Sequence, residues 1–301
     1  MNDPKAQLSS KAMQRRPIQT GALVREHALD PASPLPLVIE ATTRAVDLCA
    51  WAGTRRAELE QKLFEHGALL FRGFGIDRVE PFERLIGQLS SGALEYQFRA
   101  SPRTRLGGNI YTSTDYPADQ RIFPHNEHSY SPRFPLRLFF GCSQPAAEGG
   151  ETPIGSTRAV MARIPAEIQT RFKRRKILYV RNYGDGFGLP WQTVFQTHDR
   201  AEVERYCSSV GIEAEWKDGD RLRTRQIGEA LIRHPYTREW IWFNHATFFH
   251  VSTLPETISR GLQHSFGPFD LPTNTFYGDG AAIERGPARE RRILQCHSLL
   301  A

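Results

Sequence analysis

Apolar and polar residues recur along this chain with two different periods, and the change of period marks its organisation. Over residues 57–67, Leu59, Leu63 and Phe64 share a stripe at helical spacing and Gly67 supplies a stop, so the pattern predicts a helix. The apolar run 68–74 then predicts a buried strand, and 81–88 a second short helix. From about residue 97 the apolar runs become short and are separated by Pro, Gly, Asn and Asp. Strands are predicted at 136–142, 177–182 and 239–244, with helices near 158–171, 200–210 and 254–263. This spacing implies a mostly β fold, a sandwich or barrel with peripheral helices. Residues 1–35 are polar, carry Pro17, Pro31 and Pro34, and read as an extended or poorly ordered lead-in. No internal repeat or low-complexity linker follows, so residues 36–301 are expected to form one domain.

Composition narrows the classes. Hydrophobic residues at 40% and charged residues at 24% describe a globular chain able to bury a sizeable core. No apolar run reaches the roughly 18 residues a membrane span requires. The N-terminus has no apolar stretch of the kind a secretion signal needs, which implies a cytoplasmic protein. Cys49, Cys142, Cys207 and Cys296 are widely spread with no CxxC pair, as expected of reduced thiols. The net charge of +6 favours acidic or anionic partners. The one dense basic run, Lys173 to Lys176, follows an amphipathic stretch and reads as a solvated helix end; without interleaved aromatics it does not indicate nucleic-acid binding.

The chemistry is concentrated at His125 and Glu127, within FPHNEHSYSP. On an extended strand, residues i and i+2 point to the same face, so an imidazole and a carboxylate are aimed at one point. That is two-thirds of the 2-His-1-carboxylate set that holds Fe(II) and leaves positions open. Zinc-protease patterns do not fit: HExxH is absent, and Pro124 immediately precedes His125. His128, three residues on, would face the other way on a strand and is a pocket-lining candidate. His245 and His250 bracket the aromatic segment 246–249, which reads as core or pocket wall, with His245 a candidate substrate contact. His66 stands at a predicted helix end, where it suits the dipole.

Six ordered blocks carry a resemblance: residues 66–74 (HGALLFRGF), 111–117 (YTSTDYP), 125–132 (HNEHSYSP), 149–153 (GGETP), 242–245 (WFNH) and 275–280 (TFYGDG). Together they resemble the taurine dioxygenase-like branch of Fe(II)/2-oxoglutarate-dependent oxygenases, near clavaminate synthase and the amino-acid hydroxylases of peptide natural-product pathways. The resemblance implies a double-stranded β-helix (jelly roll) with Fe(II) at one mouth and 2-oxoglutarate as cosubstrate. It implies metal binding by His125 and Glu127, and a 2-oxoglutarate contact from the Thr152 hydroxyl, for which a Gly149-Gly150 turn would allow close backbone approach. Because Glu127 keeps the carboxylate that halogenating relatives lose, hydroxylation is the expected reaction. The substrate would be an amino acid, free or tethered to an acidic carrier protein.

The resemblance departs at the end. Members supply a third histidine and a 2-oxoglutarate-clamping arginine from a late segment with Gly-Asp, Asp-Asn and His-x-Arg. The 21 residues after Gly280 contain none of these, and His297 is the only histidine among them. The jelly roll is therefore expected to be incomplete beyond about Ile283, with His297 the remaining candidate third ligand if the tail folds back. The alternatives to an active oxygenase are a truncated, non-catalytic relative that binds a ligand or partner, and a cupin-like metal module.

Overall fold

The computed structural model describes residues 23–115, 122, 124–184, 186 and 188–283. The chain opens on an antiparallel hairpin, β1 (Val24–Asp30) and β2 (Ser33–Ala41), in register from Val24 opposite Ala41. Residues 24–30 and 33–35 of the expected lead-in are thus paired strand, while residues 1–22 lie outside the described residues. Helices α1 (Leu48–Gly53) and α2 (Arg56–His66) lead to β3 (Leu69–Arg72), which adds to β2 in parallel, and α3 (Val79–Leu89) follows. The predicted helix stop holds in detail: Gly67 has φ +76°, a left-handed conformation that suits glycine, and its N–H donates to Leu63 O at 2.8 Å. A core forms where Ile39 of β2 meets Trp51, Leu59 and Leu85 from the three helices. Burying side chains of this size stabilises by about 1.5–3 kcal/mol each.

A short hairpin, β4 (Arg105–Gly107) and β5 (Ile110–Tyr111), is followed, beyond residues 124–156 that hold no helix or strand, by α4 (Thr157–Arg163) and α5 (Ala166–Arg175). The sequence predicted one helix here. Pro165 divides it, because proline lacks the N–H and holds Ile164 extended at φ −80°, ψ 125°. The basic run closes α5 as predicted, and three of its side chains are engaged locally. Arg175 pairs with Asp279, Lys176 with Glu229, and Lys173 Nζ lies 3.9 Å from the centre of the Trp240 ring.

The remaining elements are β6 (Ile177–Tyr183), α6 (Trp191–Phe195), α7 (Arg200–Ser209), β7 (Glu213–Trp216), β8 (Leu222–Gly228), β9 (Leu231–Arg233), β10 (Trp240–Trp242), α8 (Ala246–Phe249), α9 (Glu256–Ser265) and β11 (Thr273–Tyr277). They build a four-stranded antiparallel sheet in the order β11-β6-β8-β7, with β9 and β10 as a separate ribbon. β6 is paired on both sides and buried almost throughout. Under the sheet, Phe172, Trp191, Val194, Val203, Leu231 and Trp242 form the larger core.

Two expectations are corrected. Helices hold more of the described residues than strands do, so the mostly β reading overstates the strand content; the four sheets form no closed barrel among the described residues. Residues 136–142, predicted as a strand, pair with no strand among the described residues. Leu136, Leu138 and Phe140 are 56%, 50% and 60% exposed, so their alternation points apolar groups at solvent. Arg137, between them, turns inward: it donates to Leu89 O at 2.8 Å and pairs with Glu60, holding the stretch against α2 and α3.

Candidate metal centre

His125 and Glu127 meet, but not on a strand. Residues 124–126 are irregular and 127–130 form a turn, in which Ser129 N donates to Asn126 O and Ser131 N to His128 O. His128 has φ +58°, so the chain bends immediately after Glu127. The turn brings His125 Nε2 to 3.5 Å from Glu127 Oε2. Both side chains retain partial access to solvent, 28% and 17%. One divalent ion bonded at about 2.0–2.2 Å could be shared by two donors so spaced, so the pair fits two positions of a metal site. Among the described residues no third His, Cys, Asp or Glu completes the group.

Arg103 is the partner that sequence reasoning missed. Its Nη2 donates to Glu127 Oε1 at 2.9 Å. Burial would raise the Glu127 carboxyl, but the hydrogen bond from His125 and the charge of Arg103 outweigh it and hold the pKa at about 2. Arg103 is itself fixed. Its guanidinium lies over the Tyr96 ring at 4.8 Å, and its neighbour Thr104 is bonded through N and Oγ1 to Thr112 and Asp115. Asp115 also accepts from Thr112 Oγ1, so the resembling block around 112–115 serves to close the β4–β5 hairpin behind Arg103; residues 116–117 of that block lie outside the described residues.

The loop is tied to the sheet from its other side. Asn126 Nδ2 donates to Trp242 O at 3.1 Å, Gln226 Nε2 to Tyr130 O at 2.7 Å, and Tyr130 Oη to Phe98 O at 2.8 Å. These bonds give the WFNH block a structural task, since Asn244 Nδ2 in turn donates to Ala230 O. His245 is buried, with Nδ1 2.8 Å from Ser129 Oγ and its ring 5.5 Å from that of His125. A small cleft beside His125 is lined by Pro124, Asn244, His245, Thr247 and Phe248, so the structure brings His245 to the pocket edge. Phe249 faces the core instead.

The other candidates fall as follows. His128 is buried between Tyr96 and Tyr130, with ring centres at 4.8 and 5.2 Å, and burial pushes its pKa down. It lies behind the metal pair, not in the cleft. Thr152 is exposed in irregular chain and is not among the residues lining the cleft. Gly149 and Gly150 do adopt left-handed φ of +64° and +78°, and a Cβ on Gly150 would stand 2.7 Å from Ala146 Cβ, so the tight turn demands glycine there. His250 Nδ1 caps the short turn at Val251–Thr253 by accepting from Ser252 N. His66 does more than suit the dipole, since Nδ1 sits 2.9 Å from Pro34 O of the N-terminal hairpin. His297 and the chain after Ile283 lie outside the described residues. The Arg103, Asn126 and Ser129 contacts span 24 to 116 residues, and no local spacing encodes them.

Comparison with known proteins adds to this geometry. Residues 31–296 match the family described as taurine catabolism dioxygenase TauD, TfdA family. The dapdiamide synthesis protein DdaC of Enterobacter agglomerans is 39% identical over 225 residues, covering 75% of this chain and 68% of the relative. A clavaminate synthase-like protein of Arabidopsis thaliana is 30% identical over 229 residues, covering 70% of this chain and 69% of its own length.

Proposed function

The chain belongs to the taurine catabolism dioxygenase TauD, TfdA family, and from that premise we propose that it hydroxylates an unactivated C–H bond of an amino acid in natural-product synthesis. As a member it is a 2-oxoglutarate-dependent dioxygenase that uses Fe(II) and 2-oxoglutarate. The amino acid would be free or carried on an acidic carrier protein, a partner that the +6 charge suits. The name of DdaC, a dapdiamide synthesis protein, supports the biosynthetic part of the reading. The family's jelly roll is proposed as the frame that the described sheets belong to.

One observation carries the assignment of roles: His125, which lines a small cleft, brings its Nε2 to 3.5 Å from Glu127 Oε2. These two would hold the iron, with His297 proposed as third ligand. Bound Fe(II) supplies the activation of dioxygen, coupled to decarboxylation of 2-oxoglutarate. The chain's own residues orient and shield. His245 and Phe248 wall the cleft at ring distances of 5.5 and 5.2 Å from His125 and limit the approach of water. Thr152 is proposed to donate its hydroxyl to the 2-oxoglutarate carboxylate, a task that requires its exposed stretch to close on the site.

The test is anaerobic Fe(II) titration followed by succinate assay against a panel of amino acids. His125→Ala and Glu127→Ala should each abolish Fe(II) binding while the chain still unfolds in one cooperative thermal transition, shifted down for Glu127→Ala by the carboxylate's lost contribution. Thr152→Val should raise the 2-oxoglutarate requirement by the equivalent of about 1–3 kcal/mol, the range for one charge-assisted bond. Unchanged Fe(II) uptake in both ligand variants would remove the assignment. Metal uptake without succinate would instead favour the non-catalytic, ligand-binding alternative.

A further inference from the structure

Glu127 offers two oxygens, and the structure treats them differently. Oε1 accepts the Arg103 bond at 2.9 Å, whereas Oε2 is the oxygen nearest His125 Nε2, at 3.5 Å. We propose that Arg103 is a positioning residue that occupies Oε1 and so leaves Glu127 a one-oxygen metal donor through Oε2. The inference rests on the metal reading of His125 and Glu127 given above.

Three observations support a placement role. A guanidinium-to-carboxylate bond is charge-assisted and roughly twice as strong as a neutral one, so Oε1 is not readily surrendered to a metal. The guanidinium cannot follow a rotating carboxylate, because it is laid on Tyr96 at 4.8 Å and Tyr96 is itself packed, tilted, against the His128 ring at 4.8 Å. The side chains of Arg103 and Glu127 are only 20% and 17% exposed, so water competes weakly for the bond. From His128 the ring contacts continue through Tyr130 and His245 to His125, at 5.2, 5.0 and 5.5 Å. Both metal-facing side chains are therefore braced by one packed circuit. A donor held to one oxygen keeps the remaining coordination positions open, which a site for cosubstrate and dioxygen requires.

The guanidinium charge also repels a divalent ion, so placement and charge make opposite predictions for metal affinity. The experiment uses the full chain with Co(II) as probe, comparing wild type, Arg103→Met and Arg103→Lys, with thermal melts to confirm folding. Affinity is read by titration. The carboxylate binding mode is read by infrared difference spectra, in which a one-oxygen carboxylate separates its two stretching bands more than a two-oxygen one; Glu127→Gln identifies the bands. Wild type should show the wide separation. Arg103→Met should narrow it and weaken Co(II) binding by about 10- to 100-fold, the usual cost of removing a partner that orients a metal ligand. Arg103→Lys, with a cation and a donor retained, should recover part of both. If Arg103→Met keeps the wide separation, or binds Co(II) more tightly than wild type, the placement role is overturned while the metal pair stands. If wild type takes up no Co(II), the metal reading fails and this inference falls with it.

Discussion

Residues 177–182 and 136–142 are both short apolar runs, and both read as strands in the sequence. The first became β6, with β11 on one side and β8 on the other, and all but Asn182 of its residues are buried. The second stayed irregular, with Leu136, Leu138 and Phe140 turned outward. The difference lies in the partners. β-propensity measures how well a side chain fits a pleated, half-buried surface, and a run without a neighbouring ladder has no such surface to fit. Arg137, through Leu89 O and Glu60, ties the second run to the body.

This contrast can be broken at graded cost. Phe172→Ala, under the sheet and against Trp242 and Tyr277 at 5.2 Å each, should cost about 3–5 kcal/mol in denaturant unfolding. A loss under about 1 kcal/mol would mean that the sheet core is not what holds the molecule. Next comes the metal loop. The Glu127 carboxyl is held at about 2 in the fold, below its ordinary 4.5. Its ionised form therefore stabilises the apoprotein fully above about pH 4.5, and that contribution is lost as pH falls toward 2. The contribution should reach at most about 3 kcal/mol, and comparing acid unfolding of wild type and Glu127→Gln measures it. An identical acid limb in the two would show that Arg103 and His125 do not hold the carboxylate. Asn126→Ala removes the bond to Trp242 O and should cost about 1 kcal/mol, with increased hydrogen exchange in residues 124–130 as the local sign. The smallest effect belongs to the exposed run. Phe140→Ala should change stability by no more than about 0.5 kcal/mol. A core-sized loss there would show that residues 136–142 are covered in solution and would erase the contrast.

What could be read in advance follows the same division. α2 was legible because period and punctuation agree, and Gly67 ends it in a left-handed conformation; α7 was placed by its pattern alone, and the structure adds the cap, Asp199 accepting from Ala201 N. The convergence of His125 and Glu127 was legible by its spacing, although the turn at His128 replaces the strand geometry that argued for it. The metal family was legible because six blocks keep their order, and the match over 31–296 bears that out. Arg103 was not legible, since its approach to Glu127 depends on how the β4–β5 hairpin closes, a tertiary outcome without a local pattern. The irregularity of 136–142 was illegible for the opposite reason: the local pattern was strong, and pairing decided.

The ties from Asn126 to Trp242 and from Ser129 to His245 each bridge 116 residues. On a ribosome, the loop bearing His125 and Glu127 emerges long before the segment that anchors it. At about 5–20 residues per second the wait is on the order of ten seconds. During that interval the imidazole and carboxylate are carried on a loop whose anchors at Gln226, Trp242 and His245 are still missing. Closing so wide a gap is entropically costly and comes late in folding. Metal capture would therefore wait for the anchoring segment, and iron supplied before it would meet a site not yet built.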